Sequence, residues 1–235
     1  MKPVAIFRHS PTEGSGYLVT FLNEHAIPWK LICIDKGEAV PFEARAYSGL
    51  VFMGGTMSVN DDLPWIPKTL ALIRDACAKD IPVLGHCLGG QLMSKALGGV
   101  VTKNAVKELG WGRTEVADNA TAREWFGNVR AFDSFHWHGE TFSLPQDSIH
   151  LLSSANCANQ AFAIGKHLAL QCHVEMTEPM IREWCDVGVA ELAAHAGSPA
   201  VQSAQVMQAQ MRDKLPELHR VATQLYRHWL QGLAK

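Results

Sequence analysis

The sequence lacks the features that mark membrane, secreted and nucleic-acid-binding proteins. Its apolar runs are all much shorter than the roughly 18 residues of a membrane span, and the run after Met1 is too short for a signal peptide. Lys and Arg number 21 against 23 Asp and Glu, a net charge of −2, so there is no broad positive field to hold phosphate. These absences predict a cytoplasmic protein that binds small molecules or proteins, and neither nucleic acid nor membrane.

Cysteine pairs at CxxC spacing are also absent. The six cysteines are spread along the chain, which argues against both a disulfide framework and a structural zinc site. Most of them are therefore predicted to be reduced and buried. With 235 residues, of which 47% are hydrophobic, the chain is long enough for one large α/β domain or two small ones.

Apolar runs alternate with helical patterns in the first hundred residues. The runs predict strands at 4–8, 29–34, 49–53 and 81–84. Between them, apolar residues recur at helical spacing, as at Leu18, Phe21 and Leu22. This alternation is typical of βαβ units and predicts an α/β fold with an open, mostly parallel twisted sheet flanked by helices.

The rest of the chain has two different sequence patterns. Residues 100–171 contain shorter segments, which we interpret as hairpins and further strands laid on the same core. From residue 179 the pattern is helical, and the segments 197–199 and 215–216 predict breaks between three helices. We therefore predict a domain over residues 1–178 and a helical extension over 179–235 that packs on it.

The segment 83–91 carries the most specific motif. An apolar strand runs into Gly85-His86-Cys87-Leu88-Gly89 and then into a helix, which is the nucleophile-elbow pattern with sulfur in place of oxygen. So tight a turn needs glycine two residues away on either side, because a Cβ would clash there. The motif predicts that Cys87 lies exposed at the carboxyl edge of the sheet, at a helix N-terminus that favours thiolate. The N–H of Leu88 would then face a developing oxyanion.

A cysteine nucleophile also needs a base and a group that orients the base. A later apolar run is followed by His173 and, two residues on, by Glu175, so one strand end could present an imidazole with a carboxylate against it. Another apolar strand ends in Gly54 and Gly55, where the N–H of Gly55 could complete an oxyanion hole. Each feature alone is common, but together they predict a triad of Cys87, His173 and Glu175.

In their order along the chain, these motifs resemble the class I glutamine amidotransferase domain, most closely the stand-alone proteins similar to the glutaminase half of GMP synthase. The matching segments are 53–58 (MGGTMS), 85–91 (GHCLGGQ), 137–140 (WHGE) and 173–175 (HVE). The resemblance implies a flavodoxin-like fold in which Cys87 is the nucleophile, His173 the base and acid, and Glu175 the orienting group, with Gly55 and Leu88 as oxyanion donors. It further implies that the amino-acid end of the substrate is held by Gly54, Gln91, Trp137, His138, Gly139 and Glu140.

Three positions depart from the family pattern. Thr56 stands where proline is common, His86 where an apolar residue precedes the nucleophile, and Glu140 where aspartate is usual. Glu140 would alter how an α-amino group is held. The sequence assigns no role to the extra imidazole of His86.

The resemblance implies hydrolysis of a γ-glutamyl amide through a γ-glutamyl thioester, releasing ammonia and glutamate, with no cofactor. A free glutaminase would waste ammonia, so either a synthase subunit docks in trans or the substrate is another γ-glutamyl compound, as for a γ-glutamyl peptidase or hydrolase. An alternative from a different class is a non-catalytic or redox-sensing module of the same fold. A trapped thioester on Cys87 would distinguish the enzymes from that module.

A metal site is the remaining alternative. His136 and His138 stand two residues apart. Because no carboxylate or cysteine cluster accompanies them at ligand spacing, the sequence predicts no metal site.

Overall fold

A computed structural model describes residues 1–234 as helices packed on both faces of one nine-stranded sheet. The strands are β1 Val4–Arg8, β2 Trp29–Cys33, β3 Gly49–Phe52, β4 Val83–His86, β5 Val101–Val116, β6 Ala131–Phe142, β7 Ile149–Ser154, β8 Ala161–Ile164 and β9 His167–Leu170. The helices are α1 Gly16–Glu24, α2 Trp65–Ala78, α3 Leu88–Ala96, α4 Ala120–Phe126, α5 Glu178–Val187, α6 Val189–Ala194 and α7 Ala204–Gln231. None of these helices combines the length and apolar character that crossing a membrane requires.

The sheet has a parallel half and an antiparallel half, in the order β2-β1-β3-β4-β9-β8-β7-β5-β6. Strands β2, β1, β3, β4 and β9 run parallel to one another. From β9 onward the neighbouring strands are antiparallel, and they correspond to the hairpins and further strands predicted for residues 100–171. The α/β prediction is confirmed. As a result, the carboxyl ends of β3, β4 and β9 lie side by side, where open parallel sheets bind ligands.

Strand side chains are buried on both faces of the sheet. In β1, Val4 and Ile6 belong to the hydrophobic cluster that includes α1, α4, α5 and α7, whereas Ala5 and Phe7 belong to the one with α2 and α3. Successive side chains point to opposite faces of the sheet, and helices cover both faces. The parallel strands therefore appear in the sequence as continuous apolar runs.

The helix break predicted at 215–216 is wrong. Helix α7 continues through Pro216, because Met211 and Leu218 on either side of it are buried in the core and their packing outweighs the lost backbone N–H. Instead, one of the two breaks between the three helices falls at Gly188, between α5 and α6. The break predicted at 197–199 is present, between α6 and α7.

Helix α7 completes the core formed by the sheet. Tyr226 and Trp229 are almost fully buried and share one hydrophobic cluster with residues of β1, β3 and β4. The division into a domain over 1–178 and an extension over 179–235 stays a proposal, in which the second part covers one face of the first.

Candidate active site

Cys87 occupies a strained turn between β4 and α3. Its φ of 50° and ψ of −108° lie in a region that residues with a side chain rarely adopt. The turn is held from both sides, because its N–H donates to the Leu170 carbonyl at 2.8 Å and its carbonyl accepts from the Gln91 N–H at 3.0 Å. This arrangement fixes the sulfur at the carboxyl edge of the sheet.

The glycines on either side of Cys87 are required by close approach of the backbone. A Cβ on Gly85 would lie 2.5 Å from the carbonyl carbon and oxygen of Gly89, and a Cβ on Gly89 would lie 2.0 Å from the carbonyl oxygen of Phe52. The steric reason predicted for this pair is confirmed. Without side chains at these positions, the first turn of α3 packs directly on β3 and β4.

His173 is fixed by its backbone and by its side chain. Its N–H donates to the Phe135 carbonyl at 2.8 Å, and its Nδ1 lies 2.7 Å from Oε1 of Glu175. The indole of Trp184 packs edge-on against the imidazole, with ring centroids 4.8 Å apart. Within residues 1–234 the Nε2 atom has no hydrogen-bond partner, so it remains available for proton transfer.

Mutual attraction keeps this buried pair ionised. Burial disfavours the imidazolium, but the charge of Glu175 and contact with Cys87 outweigh it and raise the pKa of His173 well above its ordinary value. Burial likewise disfavours the carboxylate, yet the imidazoles of His86 and His173 lower the pKa of Glu175 to about 2. At neutral pH the two side chains therefore form an imidazolium–carboxylate pair close to the sulfur.

His86 lies close to Oε2 of Glu175, the carboxylate oxygen that makes no hydrogen bond with His173. Its Nε2 is 3.6 Å from Oε2 of Glu175 and 3.2 Å from the hydroxyl of Tyr226 on α7. Burial lowers the pKa of His86, and the charge of Glu175 opposes this shift. We infer that this residue, to which the sequence assigns no role, supports Glu175 from behind and connects it to α7.

Replacing Glu175 with glutamine is expected to lower the pKa of His173, because a neutral amide cannot offset the burial of the imidazolium. NMR titration of the imidazole Cε1–H measures this change. The ionised Glu175 stabilises the fold above its unfolded pKa of 4.5, and this contribution is lost as the pH falls toward its folded pKa of about 2. As the pH falls through that interval, the unfolding free energy of the variant should therefore decrease less than that of the wild type. An unaltered titration of the His173 imidazole in the variant would argue against the ion pair.

The predicted oxyanion donors come together where β3 meets α3. A Cβ on Gly55 would lie 2.6 Å from Cδ2 of Leu88, and Leu88 is the first residue of α3, where backbone N–H groups have no partner inside the helix. Gly54 packs against the carboxyl group of Glu13 and against His173. The roles of Gly54, Gly55 and Leu88 stay predictions.

A cavity of about 820 Å³ opens beside Cys87. Of the predicted site residues, its lining contains Gly55, Cys87, Gln91, Trp137, His138, Gly139 and Glu140. The others, Gly54, Leu88, His173 and Glu175, lie behind this lining. The structure thus brings the sequence-predicted residues to one end of the sheet.

Sequence reasoning missed Gln171, which lies directly against the sulfur. Its Nε2 donates to Sγ of Cys87 at 3.5 Å, and its Oε1 accepts from Nε2 of Gln91 at 3.1 Å. The only sequence signal was a polar residue at the end of an apolar run. In the same lining, Glu140 accepts a hydrogen bond from Ser58 at 3.0 Å.

The two histidines weighed as metal ligands form a buried network with Glu108. Oε2 of Glu108 lies 3.0 Å from Nε2 of His138 and 3.9 Å from Nδ1 of His136. The amide of Gln160 lies among these groups and donates to Oε2 of Glu108 at 2.7 Å. Sequence spacing could not reveal this carboxylate, because it comes from the neighbouring strand β5. We interpret the cluster as a hydrogen-bond network that supports the segment 137–140.

Comparison with known proteins gives a consistent result. The family model described as "Glutamine amidotransferase class-I" matches residues 23–180. The glutamine amidotransferase-like protein YfeJ of Salmonella typhimurium is 28% identical over 222 residues, which cover 88% of this chain and 91% of that protein. Gamma-glutamyl peptidase 3 of Arabidopsis thaliana is 28% identical over 185 residues, covering 73% of each. The crystal structure of a glutamine amidotransferase from Methylobacillus flagellatus superposes with a TM-score of 0.97 at 43% identity, covering 100% of this chain and 96% of that one.

Proposed function

The chain belongs to the class-I glutamine amidotransferase family of cysteine-based amidohydrolases, and from this premise we propose that it hydrolyses a γ-glutamyl amide through a thioester on Cys87. The observation that carries the proposal is the buried His173–Glu175 pair beside a cysteine held in a nucleophile elbow. Together they would supply the three parts that thiol acyl transfer requires: a sulfur nucleophile, a base, and a group that orients the base.

In the first half of the proposed cycle, the thiolate of Cys87 attacks the γ-carbonyl carbon and a C–S bond forms. The carbonyl electron pair moves onto the oxygen, which accepts hydrogen bonds from the N–H groups of Gly55 and Leu88. The C–N bond then breaks, and Nε2–H of His173 donates its proton to the leaving nitrogen. Ammonia or an amine departs, leaving the γ-glutamyl thioester.

In the second half, water hydrolyses the thioester. Nε2 of His173 now accepts a proton from the water as its oxygen adds to the acyl carbon, and the same two N–H groups hold the oxyanion. The C–S bond breaks, which regenerates the thiolate of Cys87 and releases glutamate. Glu175 keeps Nδ1 of His173 hydrogen-bonded throughout, so that only Nε2 exchanges protons.

The amino-acid end of the substrate is assigned to the part of the cavity that the residues implied by the family resemblance line. This assignment uses the lining residues Gln91, Trp137, His138, Gly139 and Glu140, with Gly54 behind them. The carboxylate of Glu140 would hold the α-ammonium group, and Ser58 orients it.

A γ-glutamyl peptidase or hydrolase is the second candidate, and the volume of the cavity favours it. About 820 Å³ is within the range that holds drug-sized ligands and exceeds what glutamine alone fills. A synthase subunit that docks over the cavity in trans is the other explanation for the unused space.

Chemical trapping tests the proposal directly. The protein is incubated with glutamine and a panel of γ-glutamyl compounds, and each reaction is quenched in acid for mass analysis of the peptide that contains Cys87. We expect a γ-glutamyl adduct on this peptide, glutamate release, and γ-glutamyl hydroxamate when hydroxylamine is added. No adduct and no glutamate release from any compound would contradict the proposal and favour the redox-sensing alternative.

A further inference from the structure

Glu13 is a carboxyl group in the cavity wall that the mechanism above does not use. It lies in the loop between β1 and α1. Its Oε2 is 2.2 Å from the position that a Cβ on Gly54 would take, and Cε1 of His173 is 3.3 Å from that same position. The carboxyl group of Glu13 therefore borders the space next to the proton-carrying Nε2 of His173.

Within the described residues this carboxyl group has no hydrogen-bonded partner of opposite charge, and the imidazolium of His173 is the cationic group that acts on it. Within residues 1–234 its side chain makes neither a hydrogen bond nor a salt bridge. Of the two lysines in the same lining, Lys107 is already paired with Glu191, and Lys103 stands opposite Glu140 in the pairing of β5 with β6. Burial raises the pKa of Glu13 to about 7, with the charge of His173 opposing the rise and that of Glu175 adding to it. A cation placed beside this group would favour its ionised form and gain an ion pair.

The position of Glu13 assigns it to the leaving group. Because Nε2 of His173 protonates the departing nitrogen, the amine part of the substrate must lie on the His173 side of the cavity. Thr12 and Trp184 close that side, since the indole N–H of Trp184 donates to the Thr12 carbonyl at 2.8 Å and its ring packs on His173. The γ-glutamyl part is assigned to the lining around Glu140, as in the proposed function.

We propose that Glu13 forms a leaving-group subsite that selects γ-glutamyl amides whose amine carries a second, positively charged amino group. The subsite rests on the proposed function and names the substrate class for it. The reaction is unchanged: the amide C–N bond breaks, His173 supplies the proton to the leaving nitrogen, and water supplies the oxygen of glutamate. Glu13 binds the distant ammonium group and exchanges no proton in the cycle.

Two amides that differ by one group test the subsite. γ-Glutamylputrescine and γ-glutamyl-n-pentylamide have chains of equal length, which end in an ammonium and a methyl group. We expect kcat/KM of the wild type to be about tenfold or more higher for the putrescine amide, because a hydrogen bond to a charged group is involved. In Glu13→Gln this ratio should fall to about one, mainly because KM of the putrescine amide rises.

Charge reversal and a matched variant complete the experiment. γ-Glutamylglycine, whose leaving group is anionic, should be a poor substrate of the wild type and a better one of Glu13→Gln. Glu183→Gln removes the same charge from an exposed position on α5 outside the cavity lining, and it should leave all three rates unchanged. Thermal unfolding of each variant confirms that the fold is retained.

The outcomes separate the subsite from the proposed function. Three results would overturn the subsite. They are a wild-type ratio of kcat/KM near one, a ratio that Glu13→Gln does not alter, and an equal loss of kcat/KM for both amides in that variant. If these results appear together with Cys87-dependent hydrolysis of glutamine, only the subsite fails. If no γ-glutamyl compound releases glutamate, the proposed function fails and the subsite with it.

Discussion

Substitution of Cys87 by alanine is expected to lower kcat/KM for every γ-glutamyl substrate by about 10⁴-fold or more, the scale of loss when an acyl-transfer nucleophile is removed. Without the sulfur no thioester can form, and the oxyanion donors and His173 have no covalent intermediate to act on. Glutamate release measured over hours detects the residual rate. The fold should survive, because alanine is smaller and the turn is held by backbone hydrogen bonds at Leu170 and Gln91.

Cys77 provides the matched control for this change. It is a partly buried cysteine on α2, outside the cavity lining, so Cys77→Ala removes a thiol without touching the site. Its turnover should equal that of the wild type. Cys87→Ala enzyme that still hydrolysed a γ-glutamyl amide at the wild-type rate would refute the assigned nucleophile.

Substitution of Gly89 by alanine is expected to destabilise the fold by about 2–4 kcal/mol, because overpacked sites typically cost 1–3 kcal/mol and here the obstacle is backbone. The new methyl group would lie 2.0 Å from the carbonyl oxygen of Phe52. To relieve that contact, α3 must move away from β3 and carry the N–H of Leu88 out of position. Denaturant unfolding measures the lost stability, and activity should fall even at temperatures where the variant is folded.

Gly197 is the control position for Gly89. It lies in the loop between α6 and α7, and a Cβ there meets nothing within 4 Å. The unfolding free energy of Gly197→Ala should therefore lie within about 0.5 kcal/mol of the wild-type value, as is usual for surface substitutions. Equal stability of the two alanine variants would show that the elbow tolerates a side chain at Gly89 and would remove the steric argument.

The nucleophile elbow was predictable because its requirements are local. A strand, a glycine on each side of Cys87 and the start of the following helix all lie within nine residues, and backbone sterics alone explain the pattern. The parallel strands were readable for a similar reason, since burial on both faces makes them continuous apolar runs. The pairing of His173 with Glu175 also follows from two residues close in sequence.

The parts that the sequence did not disclose depend on distant contacts. Glu108 meets His138 only because β5 pairs with β6, and Glu13 reaches the site only because the loop after β1 folds over Gly54. The residues next to Glu108 and Glu13 in the sequence give no indication of these two contacts. Pro216 failed as a helix stop for the same reason, because core packing on both sides of it decides the conformation.

Helix α7 has a consequence for how the protein becomes active during synthesis. Tyr226 reaches His86 from this helix, and Trp229 fills the core beneath the sheet. A nascent chain that has already exposed residues 83–175 to solvent still lacks these buried side chains while α7 remains inside the ribosome. We therefore expect the buried surroundings of His86 and Glu175 to be complete only after the last turns of α7 have emerged and docked on the sheet.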